Sequence, residues 1–266
     1  DSIAIGTAHA AIETYTTADG TNSITLSAVG QSVTGGAGVD TVSVAGLTLS
    51  SGSTLNLGGD ANDVLIATNG ADLSAATISN TEILNMGTVT EAATVTMTEA
   101  QYDGFTTISA NAGDDTITIA AGDIVSITTD ADIGTYVIGE DSSNVLTVTV
   151  GATDNVNITS ASTDDVITVE VAGTYTGAIA TANTDDTNVL SLTATADISG
   201  ASGAGIDTNF AKLTIADNAT VTMTKAQYAA FDGTVTAGGS AEGITISDDS
   251  IAIGTAHAAI ETYTTA

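Results

Sequence analysis

The chain has 266 residues and carries 32 Asp and Glu against two basic side chains, a formal net charge of −30. Clustered Lys and Arg, which a phosphate backbone requires, are missing; this excludes a nucleic-acid partner and makes cations the natural counterpart. Cys, Pro and Trp are absent and aromatics make up 3%; disulfides and thiolate metal sites are excluded, while 42% apolar against 13% charged residues argues for a folded core of small side chains.

In chain order, DSIAIGTAHAAIETYTTA occupies residues 1–18 and returns unchanged at 249–266. Within it TAHAAIETY, from Thr7, holds several good helix formers and predicts a short helical turn. NSITLSA from Asn22, VDTVSVAG from Val39 and NDVLIAT from Asn62 follow. Each sets Asp, Asn or Gly ahead of alternating β-branched residues, the pattern of a strand entered through a polar turn. TEAQY at Thr98 has the capping-box form T-x-x-Q and predicts a short helix. Further strands are expected in DDTITIAAG from Asp114, NVLTVTV from Asn144, DDVITVEV from Asp164, NVLSLTA from Asn188 and EGITIS from Glu242, with a second capping box, TKAQY, at Thr224.

The terminal identity has an offset of 248 residues, so residues 1–248 read as one tandem repeat unit and 249–266 as the start of the next. A weaker echo, ATVTMTEAQYDGF at 93–105 against ATVTMTKAQYAAF at 219–231, divides the unit into diverged halves offset by 126 residues, with DLS at Asp72 and DIS at Asp197 upstream. The chain is therefore expected to be an excerpt from a longer array. Strand starts recur about every 18–28 residues, which suits the stacked coils of an all-β parallel solenoid with irregular coils. Tandem antiparallel β-sandwich domains are the alternative; they have shorter strand spacing, of roughly 8–12 residues, and larger core side chains. No run reaches the ~18 continuous apolar residues of a membrane helix.

GGAGVDTVS at 35–43 fits G-G-x-G-x-D-x-U-x, in which Gly35, Gly36 and Gly38 bend the backbone and Asp40 offers carboxylate oxygen to a hard cation. GGDANDVLI from Gly58 and ANAGDDTIT from Ala110 are degenerate copies, and GGSAEGITI from Gly238 lacks the Asp. Asp40, Asp63, Asp114, Asp115, Asp164 and Asp165 are the candidate Ca²⁺ ligands. A tight turn ahead of a strand accounts for the same residues without metal. On this motif and the acidic, Cys-free texture, the chain resembles the RTX-type surface proteins, S-layer proteins and giant adhesins of bacteria. The resemblance implies an exported, cell-surface protein, often calcium-dependent.

Catalytic equipment is sparse. Lys212 and Lys225 are the two cationic side chains, His9 and His257 are one repeat position, and the pairs Asp114–Asp115 and Asp185–Asp186 sit side by side on strand lead-ins. Polysaccharide lyases and hydrolases need basic residues to stabilise developing negative charge, or close carboxylate pairs in a cleft lined with aromatics that stack on sugars, so no enzyme is expected. Thr-x-Thr elements such as Thr147–Thr149 raise an ice-binding face, against which the uneven coil lengths argue. The expectation is a structural repeat of a long extracellular filament, adhesin stalk or S-layer-like polymer, whose partners are copies of itself and divalent cations. The alternative is a calcium-dependent adhesive module. Asp249, Ser250, Ile251 and Ile253 are expected at the unit-to-unit junction.

Overall fold

The computed structural model describes residues 2–87, 92–110, 115–122, 126–130, 132–140, 145–159, 166–182, 188–201, 206, 209–210, 212–231, 234–239, 241–248, 260 and 262–265. The chain forms two compact units, Asp1–Ala120 with Asp132–Thr135, and Ala121–Ala131 with Tyr136–Ala266. It is all-β, and its parallel sheets stack as a β-solenoid. Every strand pairing among the described residues is parallel. That excludes the sandwich alternative, whose sheets are antiparallel.

The first unit contains β1 (Ala4–Thr7), β2 (Thr14–Thr16), β3 (Asn22–Thr25), β4 (Ser32–Thr34), β5 (Asp40–Ala45), β6 (Thr54–Asn56), β7 (Val64–Ala67), β8 (Ala71–Asp72), β9 (Thr77–Ser79), β10 (Ile83–Asn85), β11 (Thr94–Met97), α1 (Glu99–Gly104), β12 (Thr107–Ser109) and β13 (Thr116–Gly122, as far as Ala120). One sheet runs β1-β3-β5-β7-β10-β12 and another β2-β4-β6-β9, while β11 lies between β8 and β13. Ala4 lies beside Ser23, Ser23 beside Thr41, Thr41 beside Val64, Val64 beside Ile83 and Ile83 beside Thr107, coil steps of 19, 18, 23, 19 and 24 residues. Side chains alternate across a strand, so this register stacks Ile24, Val42, Leu65, Leu84 and Ile108 into one buried file. The intervening Thr and Ser of β5, Thr41 and Ser43, are half-buried on the other face.

The second unit holds β14 (Ser126–Thr128), β15 (Thr135–Glu140, from Tyr136 on), β16 (Val145–Thr149), β17 (Asn155–Ile158), β18 (Val166–Thr174), β19 (Ile179–Thr181), β20 (Val189–Asp197), β21 (Lys212–Ile215), β22 (Thr220–Met223), α2 (Lys225–Ala230), β23 (Thr234–Ala237), β24 (Gly243–Ile246) and β25 (Thr262–Thr265). Its main sheet runs β14-β16-β18-β20, then forks: the first half of β20 pairs β21, which pairs β23, and the second half leads through β22 and β24 to β25. Ile127, Val148, Val169, Leu190, Leu213 and Val235 form its central buried file. Small branched residues fill both files because each coil need only fit the coil above and below.

Both capping boxes form as their spacing predicts. Thr98 accepts from Gln101 N–H at the start of α1, and Thr224 from Gln227 N–H at the start of α2. Each Gln also reaches another coil: Gln101 Nε2 donates to Leu73 O and Ala76 O, both at 2.8 Å, and Gln227 Nε2 to Ile198 O at 2.7 Å. Upstream, Asp72 Oδ1 accepts from Ser74 N and Oγ at 3.0 and 2.6 Å, and Asp197 Oδ1 from Ser199 N and Oγ at the same distances. The helical turn expected in TAHAAIETY does not form: β1 extends through Thr7 and β2 begins at Thr14, with a turn at Ala10–Ala11 between them. Pairing with β3 and β4 overrides the helix propensity of the alanines.

Candidate functional site: the stacked acidic corner

The polar residue ahead of each strand is the member of the turn that the stack uses. In a parallel sheet, the backbone N–H entering a strand needs an acceptor beyond the ladder itself. Here the lead-in side chain of the following coil supplies it. Ile3 N–H donates to Asn22 Oδ1 (3.1 Å), Asn22 N–H to Asp40 Oδ1 (2.9 Å), Asp40 N–H to Asp63 Oδ1 (2.7 Å) and Asp63 N–H to Glu82 Oε2 (3.2 Å). The result is a side-chain ladder running up one corner through five consecutive coils. Asn22, Asp40 and Asp63 are buried in it.

The Asp40 carboxylate takes further bonds. Oδ1 also accepts from Asn22 Nδ2 at 2.7 Å, and Oδ2 from Gly36 N–H at 3.1 Å. Asn22 Nδ2 in turn donates to Ala18 O and Gly20 O, at 2.9 and 2.8 Å. The glycines give the turn room: a methyl group on Gly36 would sit 2.7 Å from the Ala18 backbone, one on Gly35 would strike Leu57 O and the Asp40 carboxylate, and Gly38 adopts φ +106°. The G-G-x-G-x-D spacing thus serves coil stacking, with the Asp as a backbone cap.

Asp63 is different. Its Oδ2 is buried without a hydrogen-bond partner. Burial pushes its carboxyl above the ordinary value of 3.8, the bond from Asp40 N–H opposes this, and the charges of Glu82, Asp40 and Asp60 push it further up. Similar capping recurs elsewhere: Ala93 N–H donates to Asp115 Oδ1 (2.7 Å), and Asn218 and Gly239 N–H to Glu242 Oε1 (3.3 and 3.2 Å).

Of the candidate cation ligands, Asp40 and Asp63 are therefore neighbours in one ladder, and Asp115 caps a different corner. Asp114, Asp164 and Asp165 lie outside the described residues, as do Asp249, Ser250, Ile251 and Ile253 of the expected junction. Among the described residues, no three His, Cys, Asp or Glu side chains are grouped to hold a metal ion. Asn22 and Glu82 are ladder members that the acid-centred reading passed over, although Asn22 heads NSIT just as Asp40 heads DTVS. Gln31 was likewise hidden: its Nε2 donates to His9 O and Ile12 O at 3.0 and 2.9 Å, and its Oε1 accepts from Ser27 and Ala28 N–H.

His9 is exposed and its Nδ1 accepts from Ala11 N–H. Lys225 opens α2, its backbone N–H donating to Asp248. Tyr175 is fully buried and donates to Asp154 O at 2.7 Å, and burial, reinforced by the Asp154 charge, pushes its hydroxyl far up. A small recess lined by Ile78, Ser79, Asn80, Thr81, Ala100, Gln101, Gly104 and Phe105 has no ionisable wall.

No protein-family model, curated protein or solved structure matches this chain.

Among the described residues no helix is long and apolar enough to cross a membrane.

Proposed function

We propose that this chain is a structural repeat of a long extracellular bacterial surface filament, adhesin stalk or S-layer-like polymer, joining end to end with copies of itself. The observation that carries this reading is that the Thr-Tyr-Thr of the duplicated segment is a stacked strand in both copies, β2 in one and β25 in the other. A segment that recurs after 248 residues and is a stacked strand in both places suits a periodic array. Continuous parallel ladders and interdigitated small side chains supply cohesion without disulfides. The surface charge keeps separate stacks apart at low ionic strength and is screened at physiological salt, within about 8 Å. The sparse cationic groups and the non-ionisable recess support a non-catalytic role. Electron microscopy of the purified chain in ~0.15 M salt tests it: fibres or sheets are expected, and a uniform population of single particles contradicts the reading.

The partnerless Oδ2 of Asp63, beside the Asp40, Asp60 and Glu82 charges, favours a second reading, a calcium-dependent adhesive module with a cation seated at this corner. Calorimetric titration with Ca²⁺ decides it: binding heat that Asp63→Asn removes supports it, and no heat opposes it.

A further inference from the structure

One segment occurs twice in the chain, and the structure shows it in two settings. As β2, Tyr15 lies beside Val33 of β4, a later coil. As β25, Tyr263 lies beside Ile244 of β24, an earlier coil. A strand within such a stack offers one edge to the coil before and the other to the coil after, as β3 does between β1 and β5. The two copies therefore display the two edges of the same strand separately, and each has one edge paired.

What each setting covers differs correspondingly. Ile12 is 46% exposed, whereas Ile260, the same residue 248 positions later, is 8% exposed. Tyr15 donates to His9 O within its own segment, while Tyr263 stands edge-on to Tyr228, ring centroids 6.1 Å apart and hydroxyls 3.3 Å apart. Ile3, at 42%, and Ile12 are two of the three large apolar side chains left exposed among the described residues. Gln31 already binds His9 O and Ile12 O from the following coil. The Ile12 position, uncovered in one copy, is thus buried in the copy whose strand pairs with β24.

We propose that the 1–18 coil docks on a second copy of this chain, taking on that copy's β24 the place held by its Thr262–Thr265. Thr14, Tyr15, Thr16 and Thr17 then pair with Gly243, Ile244, Thr245 and Ile246, in the register that β25 shows. Ile12 gains the burial of Ile260, and Tyr15 meets Tyr228. Incoming and displaced strands have one sequence, so β24 exchanges the displaced Thr262–Thr265 for an identical partner in the same register. The contact is head-to-tail, and a heterologous contact that does not close propagates into a filament. The inference rests on the end-to-end reading and names its interface.

The absence of native Cys makes disulfide trapping clean. Thr16→Cys chains are mixed with Thr245→Cys chains under mild oxidation; adjacent parallel strands, ~4.8 Å apart, lie within disulfide reach. The expected product is a mixed dimer formed at least about tenfold faster than with Thr147→Cys as the second chain, tenfold being one decade of preference. Ile12→Glu, at an exposed position, leaves the melting temperature unchanged and abolishes the dimer. Ile260→Glu loosens the resident strand and increases it. A yield equal to the Thr147→Cys control, or one indifferent to Ile12→Glu, overturns the interface. Fibres without the Thr16–Thr245 link overturn it while sparing the filament reading; the link in material that stops at dimers has the reverse consequence.

Discussion

Replacing Asp40 by Ala tests the corner ladder most sharply, because three donors converge on its buried carboxylate. Without it, the buried Asn22 N–H has no acceptor, Gly36 N–H loses its own, and Asn22 Nδ2 keeps Ala18 O and Gly20 O. A buried donor left unmade costs ~1–3 kcal/mol, and a half-buried one less, so the loss is about 3 kcal/mol. Asp40→Asn retains one oxygen for Asn22 N–H but turns an amide N–H₂ toward Gly36 N–H, at a cost of about 1 kcal/mol. Urea unfolding followed by circular dichroism measures the loss. Amide exchange at Asn22 locates it, quickening by about two decades in the Ala variant if local opening carries the effect. An Ala variant within about 0.5 kcal/mol of the parent, the usual range of inconsequential surface changes, with Asn22 exchange unmoved, would refute the ladder. Equal damage from Asn and Ala would show that Asp40 acts through its charge.

Asp63→Asn should raise stability at pH 7, since it removes a buried negative charge crowded by Glu82, Asp40 and Asp60 and keeps an acceptor for Asp40 N–H. The folded pKa of Asp63 lies above its unfolded value, so the folded state holds the proton more tightly; its contribution is present below the ordinary 3.8 and is lost as pH rises through the raised value. The advantage of the Asn variant in melting temperature should therefore grow as pH rises across that window; an advantage independent of pH would contradict the assignment. Gln101→Ala should cost about 2–3 kcal/mol in urea, because two carbonyls of another coil and the Thr98 N–H lose their partner together; a loss under 0.5 kcal/mol would deny the cross-coil role. Leu65→Ala, fully buried between Val42 and Leu84, should cost about 3 kcal/mol by the same assay, and a neutral result would mean that its file is loosely packed.

The strands were legible because NSIT, DTVS and DVLI each carry the period-two pattern behind a polar lead-in, and their wide spacing pointed to coils. The helices were legible because a capping box is local chemistry within four residues. The corner ladder was not. Asp40 bonds a backbone N–H 18 residues away and Asp63 one 23 residues away, contacts that exist only once the coil register is set. An acid behind three glycines reads as a cation ligand in one dimension; that it also caps a backbone N–H appears only in three. TAHAAIETY misled for the related reason that pairing with later coils outweighed its alanines. Gln31 carried no pattern at all; four hydrogen bonds emerge from an ordinary turn residue.

The central claim is a parallel β-solenoid repeat that joins copies of itself along its stacking direction. Oriented-fibre diffraction of the assembled chain measures this directly. The account predicts a reflection at ~4.8 Å on the meridian, from strands spaced along the fibre axis. A sample that yields no fibres, or one whose ~4.8 Å reflection lies on the equator, would contradict it.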